Sequence, residues 1–360
     1  SFTQSFNIHC IIFRVHLVYK IKKRENRMFE RTCDLIENLY KDNIVPGVSY
    51  AVIKPGEVLT KVIGNSQLIP KVEKLKAGML YDMASLTKVV GTTTVILKLV
   101  EDNKISIDDK VMDYLPLFKD DRVTIRHLLT HTSALNGYIP HRNELNAQEL
   151  IKAMYTLKVG DWLGKKVIYT DTGLILLGEI IQKIYNKPVQ TVITQEVLQP
   201  LQLFESTFNP DPRLCVPTEV KKNGKVLKGI VHDPKARILG KYCGSAGLFM
   251  SLNDLIKFSN WIIHNSKNRV LKDKTISKLF NDWTPNGTLG RSLGWDLRYR
   301  NDGVPCIYHT GYTGTFILID RDSGCGLIVL SNRVHPSSNN QIFLDRRDII
   351  ISTFLDEIIN

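Results

Sequence analysis

Tyr81-Asp82-Met83-Ala84-Ser85-Leu86-Thr87-Lys88 runs directly into an apolar segment containing Val89, Val90, Val95, Ile96, Leu97, Leu99 and Val100. The segment predicts a buried helix with Ser85 and Lys88 at its N-terminal end. Positions three apart share a helix face, so this hydroxyl and this amine can meet. A serine hydroxyl is a weak nucleophile until a neighbour takes its proton. A half-buried lysine with a lowered pKa can do so. Unpaired N–H groups at the start of the helix favour negative charge beside it. Ser-x-x-Lys is short and recurs by chance, so its meaning depends on what the other residues supply.

Composition narrows the classes. At 360 residues the chain has room for one large domain or two small ones. No apolar run is long enough for a transmembrane helix. Of the net charge of +12, +5 lies in the first 27 residues, where Arg14, Lys20, Lys22, Lys23, Arg24 and Arg27 stand against Glu25. The remaining +7 is spread thinly, without the basic clusters and interleaved aromatics of a nucleic-acid binder. The six cysteines show neither metal-ligand spacing nor a disulfide framework. No metal or cofactor is expected. Free thiols, and a charged N-terminal stretch that lacks the order of a signal peptide, lead to the expectation of a cytoplasmic rather than a secreted protein, with association at the cell surface left open. Residues 1–27 are expected to form an extension outside the fold, with one domain over 28–360.

Outward from Ser85, the upstream pattern gives an amphipathic helix (Phe29, Cys33, Ile36, Leu39, Tyr40). A hairpin follows, Val48 to Ile53 and Val58 to Ile63 around Pro55-Gly56. Downstream come mainly helical patterns over about 100–285. One is a capped turn at Thr124 to Ser133, whose His127 and His131 are expected to pack and hydrogen-bond locally. Another is an apolar helix opening after Tyr169-Thr170-Asp171. Residues 204–245 are irregular and rich in Pro and Gly, the composition of a functional loop. Ser251 and Asp254 form a capping-box pattern. Strand patterns return at 293–299, 307–309, 314–320 and 327–331, before a final amphipathic helix. Strands from both chain ends around a helical insertion predict an α+β fold, an antiparallel sheet flanked by helices.

Three pieces stand in order: Ser85-x-x-Lys88, Tyr169-x-Asp171, and His309-Thr310-Gly311 on an expected strand. Together they resemble the serine penicillin-recognising enzymes, which include class C β-lactamases, D-Ala-D-Ala carboxypeptidases and related esterases. His131-Thr132-Ser133, His232-Asp233-Pro234, Ala246-Gly247-Leu248-Phe249, Gly314-Thr315 and Asn332-Arg333-Val334-His335-Pro336 resemble the same family. The resemblance covers roughly residues 29–355 and implies a β-lactamase/transpeptidase-like serine hydrolase. It implies that Ser85 forms an acyl-enzyme, that Lys88 helps deprotonate it, and that Tyr169 shuttles the proton. It also implies an oxyanion hole from the backbone N–H groups of Ser85 and Tyr312.

Two positions depart from the family pattern. His309 stands where lysine is usual, which weakens capture of a carboxylate near neutral pH. Asp171 stands where Asn is frequent; an ionised carboxylate cannot donate to a substrate carbonyl and repels anions. Asp171, His309, Thr310, Gly311 and Tyr312 are the expected substrate-binding residues. The departures point to an esterase or a D-alanyl hydrolase, whose substrate carries less negative charge or an amine that Asp171 could pair with. The substrate would be a small molecule or a cell-wall fragment. A true β-lactamase, or a silent penicillin-binding relative, is the alternative.

Overall fold

The computed structural model describes residues 28–135 and 138–359. The expected extension over 1–27 lies outside them. Strand β1 (Gly47–Lys54) turns through Pro55-Gly56 into β2 (Glu57–Gln67), with Lys54 opposite Glu57. Proline followed by glycine at φ 76° is the pattern of a type II turn. The other edge of β1 is covered from the far end of the chain. Val48 lies opposite Ser331 and Ile53 opposite Gly326 in β9 (Cys325–Ser331).

Strands β8 (Thr315–Asp320), β7 (Pro305–Gly311) and β6 (Asp296–Tyr299) extend the sheet on that side, and β3 (Glu73–Lys74) ends it on the other. The order is β3-β2-β1-β9-β8-β7-β6, with every pairing antiparallel. A separate two-stranded pair, β4 (Tyr81–Asp82) and β5 (Phe249–Met250), lies just ahead of Ser85.

Side chains alternate across the sheet, as a period of two requires. Val48, Tyr50, Val52, Phe316, Leu318, Leu327 and Val329 face a core shared with the terminal helices α1 (Glu30–Lys41) and α8 (Gln341–Ile359). Ala51, Ile53, Ile317, Ile319, Ile328 and Leu330 face the opposite core, shared with α2 (Thr93–Glu101), α5 (Asp171–Tyr185) and α7 (Leu252–Ile263). Burying each large side chain stabilises by about 1.5–3 kcal/mol relative to exposure. Because helices cover both faces, β8 and β9 are buried at every position and read as continuous apolar runs.

The terminal helices are also fastened to each other. Phe29 stacks on Phe354 at 4.7 Å, and Glu357 accepts from both the backbone N–H and the hydroxyl of Thr32.

The structure sharpens several local expectations. The segment after Ser85 is not a plain α-helix: a π-helical turn spans Lys88–Thr92 before α2 begins. The hydroxyl of Ser251 caps α7 by accepting from Asp254 N–H, but the Asp254 carboxylate does not return to the cap. It accepts instead from Glu205 N–H and the Ser206 hydroxyl, tying the irregular loop to the helix. Within that loop, Asp233 caps a short helix, α6 (Pro234–Leu239), with Pro234 at its first position.

Candidate active site

Ser85 lies on a tight turn between β4 and the helical segment. Ala84 has a φ of 44°, an uncommon backbone conformation for a residue with a side chain. The buried Asp82 holds this turn. One of its oxygens accepts from Ala84 N–H at 2.9 Å and the other from His232 N–H at 2.7 Å. Burial pushes the Asp82 carboxyl up to about 6, against the pull of those two N–H donors. The edge of β7 closes on the same turn. Thr313 donates its hydroxyl to Asp82 O at 2.7 Å. A Cβ at Gly311 would lie 2.5 Å from Met83 O and 2.3 Å from the Thr315 hydroxyl oxygen.

Gly311 is therefore a close-approach glycine, and Gly311→Ala is expected to push β7 away from Ser85. The expected result is a fall in kcat of at least about tenfold, with about 1–3 kcal/mol lost in urea unfolding. Unchanged kcat would mean that this contact does not set the geometry of the site.

Lys88 Nζ donates to Ser85 Oγ at 2.7 Å and to Ser245 O at 3.0 Å, and lies 2.7 Å from Asp171 Oδ1. These acceptors surround an ammonium group with three hydrogens, and the Tyr169 phenol oxygen lies against it as well. The expectation of a half-buried lysine with a lowered pKa is corrected here. Lys88 is fully buried; burial opposes its charge, but Asp171, helped by Tyr169, outweighs this and raises its pKa above the ordinary value.

The expected role of Asp171 is corrected for the same reason. Its other oxygen lies 3.0 Å from Lys235 Nζ, which in turn lies 3.1 Å from Asp233. Burial works against the Asp171 carboxylate, but the two lysines hold it well below the usual carboxylate range. Both oxygens are engaged by this chain, so Asp171 is not free to pair with a substrate amine.

Tyr169 is partly exposed, at 44%. Its ring lies 4.5 Å from that of His131 and 6.0 Å from that of His309, with Lys88 Nζ 5.2 Å from its centroid. His127 behaves as expected and accepts from Thr124 N–H within its own turn. His131 does not: it backs Tyr169, and its Nδ1 accepts from Thr170 N–H at 3.2 Å. His309 is buried on β7 with Nδ1 3.0 Å from Thr310 O. Burial, together with Arg291 and Lys88, pushes it well below the ordinary histidine value, so it is neutral.

Tyr312 stands exposed just past Thr310-Gly311. Its ring stacks on His232 at 5.4 Å, and the Arg333 guanidinium sits 4.6 Å from the ring centroid. Arg333 Nε also donates to Tyr312 O at 2.8 Å. Among the described residues, the backbone N–H groups of Ser85 and Tyr312 donate to no protein acceptor. The structure therefore gathers Ser85, Lys88, Tyr169, Asp171 and His309 around one centre. It places Tyr312 at the rim, beyond Thr310 and Gly311.

A model of the Beta-lactamase family matches residues 34–348. The chain belongs to the Beta-lactamase family.

The chain is 28% identical to an N-acetylmuramyl-L-alanine amidase of Bacillus subtilis (strain 168), covering 83% of this chain and 80% of the relative. It is 25% identical to a protein of Escherichia coli (strain K12) named "Putative D-alanyl-D-alanine carboxypeptidase", covering 83% and 82%. A solved class C beta-lactamase superposes with a TM-score of 0.75 at 19% identity, covering 91% of this chain and 96% of that one. The fold is accordingly the β-lactamase/transpeptidase fold, and the family is one of serine hydrolases.

Sequence reasoning missed Arg291. It is almost fully buried, its guanidinium lies 5.6 Å from the Tyr169 ring centroid, and its Nε has no partner among the described residues. Its only sequence signal is a lone cation in Gly290-Arg291-Ser292-Leu293-Gly294, just ahead of β6. Lys235 was missed as well; in sequence it is an ordinary basic residue after Asp233-Pro234. Among the described residues no group of three potential metal ligands occurs, and no helix is long and apolar enough to cross a membrane.

Proposed function

We propose that this Beta-lactamase family member hydrolyses a D-alanyl amide or a small ester through an acyl-enzyme on Ser85. The observation that carries the reading is the 2.7 Å contact of Lys88 Nζ with Ser85 Oγ, in a turn whose neighbouring N–H groups are free. Ser85 Oγ attacks the acyl carbonyl, and the oxyanion settles between the N–H groups of Ser85 and Tyr312. Kept charged by Asp171, Lys88 orients Oγ and holds positive charge. It does not take the proton. That proton passes to the Tyr169 phenol oxygen as Tyr169 gives its own to the leaving group. The bond from the acyl carbon to the leaving group breaks as the Oγ–carbon bond persists. Water then reverses the relay and frees the acid.

The substrate class rests on charge. His309 is neutral and buried where a lysine would present a fixed cation, and the charges of Lys88 and Lys235 are balanced by Asp171 and Asp233. These features favour a substrate whose binding does not depend on a strongly held carboxylate. The names of the two bacterial relatives support cell-wall fragments as the source. Turnover of a p-nitrophenyl short-chain ester and of a D-alanyl-D-alanine peptide, beside labelling by a fluorescent penicillin, tests the reading. Ester or peptide turnover with little penicillin hydrolysis is expected. Rapid penicillin hydrolysis, or labelling with no turnover of either substrate, would overturn it in favour of a β-lactamase or a silent binder.

Tyr169→Phe removes the phenol and leaves the ring that packs on His131. It is expected to lower kcat by about 10²–10⁴-fold, with stability nearly unchanged. A kcat within threefold of wild type would move the proton relay to another group.

A further inference from the structure

A groove of about 530 Å³ opens beside the segment that leads into β4. That volume lies in the range of small-ligand sites, about 300–1,000 Å³. Lys71, Lys74, Lys76, Arg213 and Lys228 line it, and Glu73 is its one acidic wall residue. The cations come from three separate parts of the chain. Lysines on an edge strand guard a sheet against pairing with another sheet. That accounts for Lys74 on β3, but not for Lys76, Arg213 or Lys228, which lie off the sheet.

The cations are unevenly satisfied. Glu73 is shared, at 3.7 Å from Lys71 and 3.5 Å from Lys228. Arg213 donates to both oxygens of Asp211, from Nε to Oδ1 at 3.0 Å and from Nη2 to Oδ2 at 2.6 Å. Lys74 and Lys76 are exposed, and neither pairs with a carboxylate among the described residues. This pattern selects a ligand chemistry. One edge of the single guanidinium is taken by Asp211, so the groove's unpaired cations, Lys74 and Lys76, are point charges on flexible stems. Point charges reward charge density rather than the flat geometry of a single carboxylate.

The groove is also tied to the site. Its wall residues Met79 and Leu214 adjoin a stitched pair of segments, in which Leu80 N–H donates to Leu214 O and Val216 N–H to Leu80 O. Ser85 follows five residues after Leu80.

We propose that this groove binds an oligophosphate chain, separately from the acyl chemistry at Ser85. A chain seated there would lie on the segment that feeds the nucleophile turn.

Isothermal titration of the full chain with inorganic tripolyphosphate tests the proposal. Saturable binding that weakens steeply between 50 and 300 mM NaCl is expected. The Lys74→Glu/Lys76→Glu double variant is expected to bind at least about tenfold more weakly. A double variant of the same charge change at exposed lysines elsewhere, Lys104→Glu/Lys267→Glu, is expected to stay within about twofold. Equal losses in the two double variants, or no saturable binding by wild type, would overturn the proposal. Binding by Ser85→Ala equal to wild type is expected. Binding abolished by acylation of Ser85 would place the anion in the catalytic cleft and remove the groove as its site. Neither outcome depends on which acyl substrate the enzyme takes.

Discussion

Ser85→Ala is expected to lower hydrolysis of a p-nitrophenyl ester by at least about 10⁴-fold while leaving the unfolding midpoint near that of wild type. Losing the nucleophile of a covalent mechanism removes the whole acyl-enzyme path, and what remains comes from binding and from the oxyanion donors. Stability is spared because Ser85 is only partly buried and alanine fits the same turn. Lys88 loses one acceptor but keeps Asp171 Oδ1 and Ser245 O. Intact-protein mass after mixing with an activated acyl donor gives the second readout. Wild type gains the mass of the acyl group, and Ser85→Ala does not. Equal turnover by the two proteins, or an adduct on the variant, would move the nucleophile elsewhere.

Asp171→Asn carries the largest expected effect on stability. In the wild type, Asp171 bridges Lys88 and Lys235. Its lowered pKa means that its contribution is complete above the free carboxyl value and is lost only as pH falls through the folded value, in strong acid. The raised pKa of Lys88 means that its contribution is complete below the free amine value and is lost only as pH rises through the folded value, in strong alkali. Between about pH 5 and 9 the pair therefore leaves stability flat.

An amide at position 171 cannot hold two ammonium groups together. Burial then dominates at Lys88 and drives it towards the neutral form. Removing one partner of a buried ion pair typically costs about 3–5 kcal/mol. The variant should also gain stability relative to wild type as pH rises from 6 to 9, because its unfolded state then binds more protons than its folded state. Urea unfolding across that range is the measurement. A constant offset between the two proteins, or none, would show that Asp171 does not hold the charge of Lys88.

The two variants probe parts of the molecule that differ in how plainly the sequence displays them. The sheet was legible because β8 and β9 are runs of β-branched and aliphatic residues bounded by glycine and acidic turns. The hairpin was legible because Pro55-Gly56 fits one kind of turn. Ser85 and Lys88 were legible because their three-residue spacing lies in the helical turn ahead of the π-helical segment, which begins only at Lys88. What sequence could not carry is long-range charge. Asp171 read as a substrate contact because its partners, Lys88 and Lys235, lie 83 and 64 positions away in opposite directions along the chain. The protonation of Lys88 was misjudged for the same reason, since burial alone would have lowered its pKa. His131 read as a local packing residue because nothing near it in sequence announces Tyr169. Arg291 left no pattern, since its relation to Tyr169 exists only after folding.

The pairing of β1 with β9 also bears on how the polypeptide is made. The edge of β1 that accepts β9 emerges from the ribosome about 280 residues before its partner, as the register Val48 to Ser331 requires. At typical synthesis speeds that interval is roughly 14 to 56 seconds. Throughout it a nascent apolar hairpin exposes an unpaired rim of the kind that recruits other chains. Translation rate and chaperone supply, rather than equilibrium stability, should therefore govern the yield of soluble protein on overexpression, and slower synthesis at low temperature should not by itself shorten that exposure.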